Sequence, residues 1–437
     1  MNNYFLKRFE QRINKKDIKI GVVGLGYVGL PLALQFAKKG FMVLGIEIDQ
    51  DRLNHIRRKE SYISDVSSRE LKQALVAGRF AAVGDFAALK TADVIIICVP
   101  TPLKRKYHPN ISYIEQAVKS ISKNLKIGAL IILESTTYPG TTEEVILPLL
   151  EINKLKHNKD FYLSFSPERI DPGNKKYPVN KIPKIVGGLS PEATRLAELV
   201  YKNVIEKVVP VSSARTAEVA KLLENTFRLV NIGLIDELAM MCHKMKINIW
   251  EVIEAAKTKP FGFMPFYPGP GVGGHCIPKD PLYLYWKAKH FGFRSRFIKL
   301  ASDVITYMPE YAVERLEDIL KSKNIRPAKA RILVMGATYK KDIKDLRKSP
   351  SIDIINILQR KKIKVSYFDP LIPYLRLNHI DLRSITLKKS TLAGFDCVVI
   401  ATDHSEVNYD FILKNSKLIF DLRNVYKGCR DRKVVLL

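Results

Sequence analysis

The sequence predicts an α/β protein in which two doubly wound parallel sheets flank a central helical region. Short apolar runs alternate with helical patterns at the start of the chain, and a second alternating pattern begins at Ala330. Between them, one helical pattern runs from Thr216 to Met245. Because the chain has 437 residues, it can form two or three domains, each with its own core. We therefore expect three domains, at residues 1–215, 216–324 and 325–437.

Apolar runs in the first region predict five strands. They are Ile18 to Val23, Phe41 to Ile48, Ala92 to Cys98, Ala129 to Leu133 and Phe161 to Phe165. Helical patterns alternate with these runs, so the strands are expected to lie parallel in one sheet. Ligands bind beyond the carboxyl ends of such strands, and clusters of Thr, Ser and Glu follow the last three runs.

The central region begins with a long helix. Between Thr216 and Met245 there is no proline and one glycine, and apolar residues recur at helical spacing. We expect a spine helix from Ala217 onward, a Pro/Gly-rich loop over residues 260–274, and more helix to about Lys321. The last region then predicts the strands Arg331 to Met335, Lys364 to Phe368, Asp396 to Ala401 and Leu418 to Asp421, with a helix from Ser351 to Leu358.

Composition limits the class of protein. Apolar residues make up 46% of the chain and charged residues 27%, as in soluble globular proteins. No apolar run is long enough to span a membrane, and the start lacks a signal-peptide pattern, so we expect a cytoplasmic protein without membrane insertion. The five cysteines are far apart and form no CxxC pair, so neither a disulfide framework nor a metal site is expected. One of them could be a reactive thiol.

The net charge of +28 is large. It suits nucleic acid, an anionic membrane surface or a small anionic substrate, and a lysine-rich surface without a binding role explains it equally well. The basic residues are spread along the whole chain, and no nucleic-acid-binding motif is present. We therefore expect no nucleic-acid partner.

A glycine motif follows the first predicted strand. Gly24, Gly26 and Gly29 precede a helical pattern, and backbone N–H groups there can hold a pyrophosphate. Glu47 lies 18 residues beyond Gly29, at the end of the second strand, where an acid binds the ribose hydroxyls of NAD and repels the extra phosphate of NADP. Asp49 is an alternative acid, although it could equally cap a turn or helix. The arrangement predicts NAD binding.

A second motif presents a cysteine. The run from Gly269 to Asp280 is rich in glycine, which permits close backbone approach, and it carries Cys276 with His275 and Lys279 nearby. A cation lowers the pKa of a thiol, and the thiolate is the nucleophile. A flexible loop with an incidental buried cysteine explains the motif equally well.

Three further residues are candidates for the same chemistry. Glu168 stands at a strand end and could act as a general base for water, or it could form a surface ion pair or a helix N-terminal contact. Lys221 and Asn225 are four residues apart, so they share one face of the spine helix. An ammonium and an amide on one face could stabilise an oxyanion, although a solvated stripe has the same pattern.

Taken together, the motifs resemble the UDP-glucose/GDP-mannose dehydrogenase family from Ile18 almost to the C-terminus. The motifs that agree in order are GLGYVGLP at Gly24 to Pro31, VPTP at Val99 to Pro102, STTYPGTT at Ser135 to Thr142, SPER at Ser166 to Arg169, the Lys221/Asn225 helix, GGHC at Gly273 to Cys276, and Gly336 to Lys340 with Asp345 and Arg347.

The resemblance implies an architecture and a reaction. An N-terminal Rossmann domain would hold NAD, the central region would form a homodimer or a larger homo-oligomer, and a C-terminal Rossmann-like domain would hold the nucleotide of a UDP-sugar. The C6 alcohol would be oxidised in two steps with two NAD. Cys276 would attack the aldehyde to give a thiohemiacetal and then a thioester, which water hydrolyses. The acid would feed a polysaccharide destined for the cell surface.

The resemblance also assigns roles to residues. The catalytic set is Cys276, Lys221, Asn225, Asp280, Glu168 and Thr136, in which Lys221 and Asn225 stabilise the oxyanion, Asp280 and Thr136 assist proton transfer, and Glu168 is the base for hydrolysis. The cofactor set is Gly24, Gly26, Tyr27, Val28, Gly29, Glu47, Thr101 and Thr136. The substrate set is Glu168, Arg169, Lys221, Asn225, Tyr267, Gly273, Lys340 and Arg347.

Three segments indicate which sugar is oxidised. Tyr267 to Gly271, Pro281 to Ala288 and Pro172 to Asn174 are similar to the branch that oxidises UDP-N-acetylglucosamine. The glucose branch usually has GGSC and a second glutamate four residues after the first, where His275 and Pro172 stand here. Lys279 departs from the N-acetylglucosamine branch, which commonly has an apolar residue at this position, and it could tune the thiol or alter substrate choice.

Several alternatives remain open. The sugar could be UDP-N-acetylgalactosamine, UDP-N-acetylmannosamine or UDP-glucose. A non-catalytic dinucleotide-binding protein would be expected to lack the nucleophile, whereas Cys276 is present. A nucleic-acid-binding protein would bind with steep salt dependence.

Overall fold

The computed structural model describes residues 3–63, 66–103, 108–169, 178–377 and 379–437. It divides into two compact units. The first comprises residues up to Glu224 together with Trp286–Phe293, and the second comprises Asn225–Tyr285 and Arg294–Leu437. The predicted segment from Pro172 to Asn174 lies outside the described residues.

The first unit contains an eight-stranded sheet in the order β3-β2-β1-β4-β5-β6-β7-β8. Its strands are β1 (Lys19–Val23), β2 (Met42–Ile46), β3 (Phe80–Val83), β4 (Val94–Ile97), β5 (Ala129–Leu133), β6 (Phe161–Phe165), β7 (Lys184–Gly188) and β8 (Val208–Pro210). The five predicted strands, β1, β2, β4, β5 and β6, pair in parallel, as expected. Strands β3, β7 and β8 were not predicted, and β7 runs antiparallel to β6. An antiparallel neighbour needs no crossover helix, so alternation with helices could not indicate it.

Helices cover both faces of this sheet, and an apolar core lies on each face. They are α1 (Asn3–Asn14), α2 (Gly29–Lys38), α3 (Gln50–Arg57), α4 (Ser68–Val76), α5 (Ser112–Ser122), α6 (Leu147–Glu151), α7 (Pro191–Tyr201) and the first part of α8 (Ala214–Lys244), which continues into the second unit. Helix α1 was not predicted, and it buries Phe9 and Ile13 in the core. Its Phe5 ring stacks on Tyr162, with centroids 5.3 Å apart.

The second unit contains a five-stranded parallel sheet in the order β10-β9-β13-β14-β15. Its strands are β9 (Arg331–Met335), β10 (Lys364–Phe368), β13 (Cys397–Ile400), β14 (Ile419–Asp421) and β15 (Val434–Leu436), and β11 (Tyr374–Leu377) and β12 (Ile380–Arg383) form a separate hairpin. The remaining helices are α9 (Ile249–Ala256), α10 (Asp280–His290), α11 (Arg296–Ser322), α12 (Pro350–Arg360), α13 (Lys389–Ala393) and α14 (Tyr409–Asn415).

The spine helix α8 begins slightly before its predicted start, at Ala214 rather than Ala217. The hydroxyl of Ser213 accepts a hydrogen bond from Thr216 N–H at 3.0 Å, which satisfies a donor that the helix start would otherwise leave unpaired. Helix α8 is 31 residues long. Among the described residues, neither this helix nor any other combines the length and apolarity required to cross a membrane.

Candidate active site

The glycine loop between β1 and α2 leaves room for a ligand's phosphates. Gly24 has a φ of +90°, and a Cβ there would lie 2.7 Å from the carbonyl oxygen of Cys98. A Cβ at Gly29 would lie 1.9 Å from the Gly24 oxygen, so only glycine lets α2 begin this close to the loop. A Cβ at Gly26 would meet only the Arg52 guanidinium, at 3.9 Å. The space above Gly26 at the N-terminus of α2 therefore fits a pyrophosphate.

The acid after β2 braces this loop. Glu47 is buried, and its carboxylate accepts hydrogen bonds from Leu25 N–H at 3.0 Å and from Ile48 and Asp49 N–H. The fourth donor is Arg52 Nη1, at 3.1 Å. A carboxylate offers about four acceptor positions, so a ribose hydroxyl could bind Glu47 only by replacing a donor. The partly exposed Arg52 side chain is the donor that can move.

Asp49, the alternative acid, caps a helix. Its Oδ1 accepts hydrogen bonds from Asp51 N–H at 2.9 Å and from Arg52 N–H at 3.2 Å at the start of α3. This is the structural role that the sequence left open for it. Of the other predicted cofactor residues, Tyr27 has half of its side chain exposed, and Val28 is partly buried.

The segments after β4 and β5 meet at the same edge of the sheet. The hydroxyl of Ser135 donates to the carbonyl of Val99 at 2.8 Å, which joins the segment that carries Thr101 to the segment that carries Thr136. Thr101 is buried and Thr136 is partly exposed. The structure therefore places both predicted nicotinamide-bordering threonines on two connected segments of the first unit.

The Ser166–Arg169 segment follows β6 at this edge. Arg169 donates from Nη1 to the Pro183 carbonyl at 2.5 Å and forms an ion pair with Glu224, whose Oε1 lies 2.6 Å from Nη2. Glu168 is partly exposed. It lines a small cavity together with Val28 and Leu32 of the cofactor loop and helix α2. A predicted base and a predicted cofactor residue thus face one cavity.

Helix α8 carries Lys221 and Asn225 one turn apart, and both are buried rather than part of a solvated stripe. One turn earlier, Glu218 accepts hydrogen bonds from Gly140 N–H at 2.5 Å and from Thr142 N–H at 3.0 Å. Burial raises the pKa of Glu218 to about 7, although these hydrogen bonds oppose the shift. Glu218 thereby links the spine helix to the backbone segment after β5, which carries Thr136.

In the second unit, Cys276 lies four residues before the start of helix α10 at Asp280. Cys276 is exposed, and its carbonyl accepts from Asp280 N–H at 2.8 Å and from Lys279 N–H at 3.1 Å. Asp280 is buried and accepts from Asn225 Nδ2 at 2.6 Å. The structure therefore brings Asn225 and Asp280, two of the predicted catalytic residues, into contact, one turn from the cysteine.

Lys279 is buried beside the same turn. Its Nζ lies 3.1 Å from His275 Nδ1 and 3.9 Å from Asp280 Oδ1. Burial, followed by the charge of Lys279, lowers the pKa of His275 to about 4. The imidazole is therefore neutral near pH 7, and its Nδ1 can accept a hydrogen bond from the Lys279 ammonium.

The cysteine loop lies against the first loop of the second sheet. Gly274 N–H donates to the Arg347 carbonyl at 2.9 Å. A Cβ at Gly273 would lie 2.5 Å from the Tyr339 Cβ and 2.6 Å from the Lys348 carbonyl, so glycine is required for this approach. The segment that carries the predicted substrate residues Lys340 and Arg347 is thus joined to the loop that presents Cys276.

An acid after the second strand braces that loop too. Asp369 Oδ2 accepts from Ala337 N–H at 2.6 Å and from Thr338 N–H at 3.2 Å, and it lies 3.1 Å from His404 Nε2. Burial would raise the pKa of Asp369, but the hydrogen bonds from His404 and Ala337 bring it below its usual value. Lys340 is partly buried, and the exposed Arg347 guanidinium forms a bidentate contact with Asp345.

The last predicted substrate residue, Tyr267, is exposed. Its hydroxyl donates to Glu254 Oε1 at 3.0 Å, and its ring stacks on Trp250 with centroids 6.0 Å apart. Two residues later, Gly269 N–H donates to the buried Asp236 of α8 at 3.1 Å. The Pro/Gly-rich loop is therefore attached to both α9 and the spine helix.

Sequence reasoning missed the residues that brace these loops, namely Arg52, Glu134, Lys184, Glu218, Asp369 and His404. Only Glu218 had a usable signal, because it lies three residues before Lys221 on the same helix. Arg52 lies five residues after Glu47, but the two residues belong to no common motif. Glu134, Lys184, Asp369 and His404 act through partners that are distant in sequence, and spacing within one motif cannot indicate such pairs.

Comparison with known proteins agrees with this arrangement. Models of the UDP-glucose/GDP-mannose dehydrogenase family match residues 18–205 (NAD binding domain), 215–305 (central domain) and 333–428 (UDP binding domain). A UDP-N-acetyl-D-mannosamine dehydrogenase from Pyrococcus horikoshii is 38% identical over 419 residues, covering 94% of this chain and 96% of the relative. A UDP-N-acetyl-D-glucosamine 6-dehydrogenase from Pseudomonas aeruginosa is 38% identical over 393 residues, covering 90% and 92%.

Solved structures agree as well. The UDP-N-acetylmannosamine dehydrogenase structure from Pyrococcus horikoshii superposes with a TM-score of 0.86 at 35% identity, over 96% of this chain and 98% of that one. A corresponding enzyme from Staphylococcus aureus gives a TM-score of 0.80 at 33% identity, over 96% and 97%. The chain therefore belongs to the UDP-glucose/GDP-mannose dehydrogenase family and is an NAD-dependent UDP-sugar dehydrogenase with that family's NAD-binding and UDP-binding domains.

Proposed function

We propose that this chain oxidises the C6 alcohol of a UDP-N-acetylhexosamine to the uronic acid, through a thioester on Cys276. The observation that carries the proposal is the hydrogen bond between Gly274 N–H and the Arg347 carbonyl. It joins the loop that presents the exposed thiol to the loop at the carboxyl edge of the second sheet, where an α/β sheet binds its ligand. A UDP group held beside Lys340 and Arg347 can extend its sugar toward Cys276.

UDP-N-acetylglucosamine is the preferred substrate in this proposal, because His275 and the runs that flank it are similar to the branch that oxidises this sugar. The alternative is UDP-N-acetylmannosamine, since relatives named for each sugar are both 38% identical to the chain. The test is kcat/KM with the separate UDP-sugars of glucose, N-acetylglucosamine, N-acetylgalactosamine and N-acetylmannosamine. The highest value is expected for UDP-N-acetylglucosamine, and a higher value for another sugar would replace it as the substrate.

The chemistry begins with the alcohol, which loses the hydride from C6 and the hydroxyl proton to become an aldehyde. Bound NAD supplies the hydride acceptor for this oxidation and for the next one. The Cys276 sulfur then bonds to the aldehyde carbon, and the carbonyl oxygen takes a proton, giving a thiohemiacetal. Loss of a second hydride from carbon and of the hydroxyl proton gives the thioester.

Hydrolysis completes the reaction. Water adds to the thioester carbonyl, the carbon–sulfur bond breaks, the sulfur leaves as thiolate, and Glu168 takes the water proton. Lys221 and the Asn225 amide supply donors for the oxyanion. Asp280, hydrogen-bonded to Asn225, and Thr136 assist the proton transfers. The positive charge of Lys279, three residues after the cysteine, favours the thiolate.

In the first unit, we propose that the loop of Gly24, Gly26 and Gly29 holds the cofactor pyrophosphate, with Tyr27 and Val28 beside it. Glu47 would accept a ribose hydroxyl after Arg52 moves aside, and it would repel the additional phosphate of NADP. Thr101 and Thr136 would border the nicotinamide. Arg169, Tyr267 and Gly273 complete the proposed substrate-binding set.

We propose three domains, at residues 1–215, 216–324 and 325–437. A second copy of this chain is the proposed partner of the spine helix in the central domain. Large apolar side chains are exposed along α8 at intervals of four and seven residues, namely Val219, Leu223, Phe227, Leu234 and Met241. These intervals place them on one face, and such a stripe indicates an interface. Light scattering on L234E/M241E is expected to give the mass of a monomer, and an unchanged mass would exclude this face as the interface.

A cytoplasmic location stays a prediction.

The stoichiometry of NADH tests the reaction itself. Complete conversion of a limiting amount of UDP-N-acetylglucosamine is expected to yield two NADH per sugar, because each oxidation releases one hydride. One NADH per sugar would indicate that the reaction stops at the aldehyde and would contradict the thioester route.

A further inference from the structure

A buried cluster of charged and polar side chains lies behind the Ser166–Arg169 segment. Lys184 Nζ is 3.0 Å from Glu134 Oε1, and the Tyr201 hydroxyl donates to the same carboxylate oxygen. The ammonium also lies 4.7 Å from the centroid of the Tyr201 ring. All three side chains are at least nine-tenths buried. A buried ion pair is weak evidence for stability, because desolvation opposes the attraction, so its presence calls for another explanation.

The cluster holds the backbone directly before Glu168. Lys184 Nζ donates to the Pro167 carbonyl at 3.3 Å. The neighbours of Lys184 hold the rest of the segment, since the Ser166 hydroxyl donates to the Ile185 carbonyl at 2.8 Å and Arg169 donates to the Pro183 carbonyl. Three consecutive residues at the start of β7 therefore fix the residues on both sides of Glu168.

Glu168 shares a small cavity with Glu134 and Lys184. The ammonium and the carboxylate balance each other, so the pair adds no net charge beside Glu168. Burial, followed by the charge of Glu134, raises the pKa of Tyr201, so the phenol keeps its proton and remains a donor. In a buried setting a lone charge would act strongly on a neighbouring carboxylate, whereas a balanced pair does not.

We propose that the Lys184–Glu134–Tyr201 cluster is a positioning device that holds Glu168 for the hydrolysis of the thioester without changing its charge environment. The proposal rests on the proposed function, in which Glu168 is the base for this step. Lys184 is the positioning residue, because it bridges the cluster and the Pro167 carbonyl.

The test separates hydrolysis from the two oxidations. With K184M, rapid mixing is expected to show a burst of two NADH per active site at near wild-type rate, followed by steady-state turnover reduced by about tenfold or more. The thioester should then accumulate, and intact-mass spectrometry should detect the UDP-sugar adduct on the protein. A burst and a steady state that fall together, or that both stay at wild-type values, would overturn the proposal.

A pH profile gives a readout that a merely structural role would not move. E134Q leaves the ammonium unbalanced, which favours ionised Glu168, so the steady-state rate is expected to rise with pH at a lower midpoint than in the wild type. The double variant K184M/E134Q carries no lone charge, so its midpoint should return toward the wild-type value while its slow hydrolysis remains. An unshifted midpoint in E134Q would contradict the charge balance.

Two further variants keep the test decisive. K202M changes an exposed lysine next to Tyr201 and is expected to retain both phases, which controls for general effects of losing a lysine. If K184M does not fold, the double variant replaces it in the burst experiment. E168Q tests the underlying role separately. A wild-type steady state in E168Q would refute Glu168 as the base and with it the positioning role, whereas slow hydrolysis in E168Q beside wild-type hydrolysis in K184M would refute the cluster alone.

Discussion

The two sheets carry loops of the same design at their carboxyl edges, but the loops differ in how they can hold an anion. In each, an acid after the second strand accepts hydrogen bonds from the first loop, Glu47 from Leu25 N–H and Asp369 from Ala337 and Thr338 N–H. In the first unit, α2 begins at once, at Gly29. In the second, α12 begins only at Pro350, after a segment rich in lysine and arginine.

This difference indicates two ways to bind phosphate. The first loop offers backbone N–H groups and a helix N-terminus, which bind a pyrophosphate through fixed dipoles. In the proposed function, the second loop uses side-chain cations, including Lys340 and Arg347, in place of a helix N-terminus. One topology can therefore serve NAD at one edge and UDP at the other.

The largest expected effect comes from replacing a glycine of either loop by alanine, because the added methyl group clashes with the neighbouring backbone. G29A places a Cβ 1.9 Å from the Gly24 oxygen, and G336A places one 2.5 Å from the Thr402 oxygen at a φ of +84°. We expect G29A to weaken NAD binding by about 100-fold or more, equivalent to about 2.7 kcal/mol, with UDP binding retained. G336A should weaken UDP binding and leave NAD binding unchanged. Calorimetric titration measures both, and G84A, with only ordinary contacts around its new Cβ, is the control.

Replacing the acid of the first loop should have a smaller effect. E47A removes the brace on Leu25 and the repulsion of an NADP phosphate, so we expect NAD binding weaker by about tenfold and relaxed discrimination against NADP. Fluorescence titration with both cofactors measures this ratio. An unchanged preference would show that another residue selects NAD. Asp49 already uses its Oδ1 to cap helix α3.

The cations of the second loop can be tested through salt. K340M and R347M should each weaken UDP binding by about tenfold and flatten its dependence on ionic strength, because salt screens the attraction between these cations and the phosphates. The flattening should be larger for R347M, because Arg347 is exposed and Lys340 is partly buried. NAD affinity should change little in both. K323M, an exposed lysine outside the loop, is the matched control. Equal losses in K323M would mean that the overall charge of the chain, and not this loop, attracts UDP.

The smallest expected effect is on stability. The pKa of Asp369 is lowered in the folded protein, so its contribution is present above about pH 4, the value in unfolded chains, and is lost as pH falls through the folded pKa. D369N should lower the unfolding free energy by about 1 kcal/mol at pH 7, and the difference should vanish in acid. Urea titrations across pH measure the difference in unfolding free energy between D369N and the wild type. A difference that does not change with pH would show that the Asp369 carboxylate does not cause it.

The sequence predicted those parts of the fold that depend on local pattern. Strands such as β5 and β9 have the predicted bounds, because continuous apolar runs identify buried strands. Helix α1 was missed because charged residues surround Phe9 and Ile13, and this segment was considered only for a signal-peptide pattern. The Glu134–Lys184 pair was missed because its members are 50 residues apart and meet only in the folded sheet.

Within the candidate site, motifs identified the proposed reactive residues but not their supports. The glycine-rich loop indicated Cys276, the spacing from Lys221 indicated Asn225, and the family resemblance implied a role for Asp280. The structure places Asn225 and Asp280 in contact. Asp49 shows the limit, since an acid near a strand end can bind a ribose or cap a helix, and only the hydrogen bonds decide. Supports such as Asp369 and His404 depend on strand order, which no single motif encodes.

The central claim, a covalent route through Cys276, is tested most directly with C276S. We predict that this variant binds NAD and UDP-N-acetylglucosamine with affinities close to those of the wild type and forms no uronic acid, as measured by calorimetry and by mass spectrometry of the products. Uronic acid formed at the wild-type rate by C276S would contradict the claim and remove the cysteine from the mechanism.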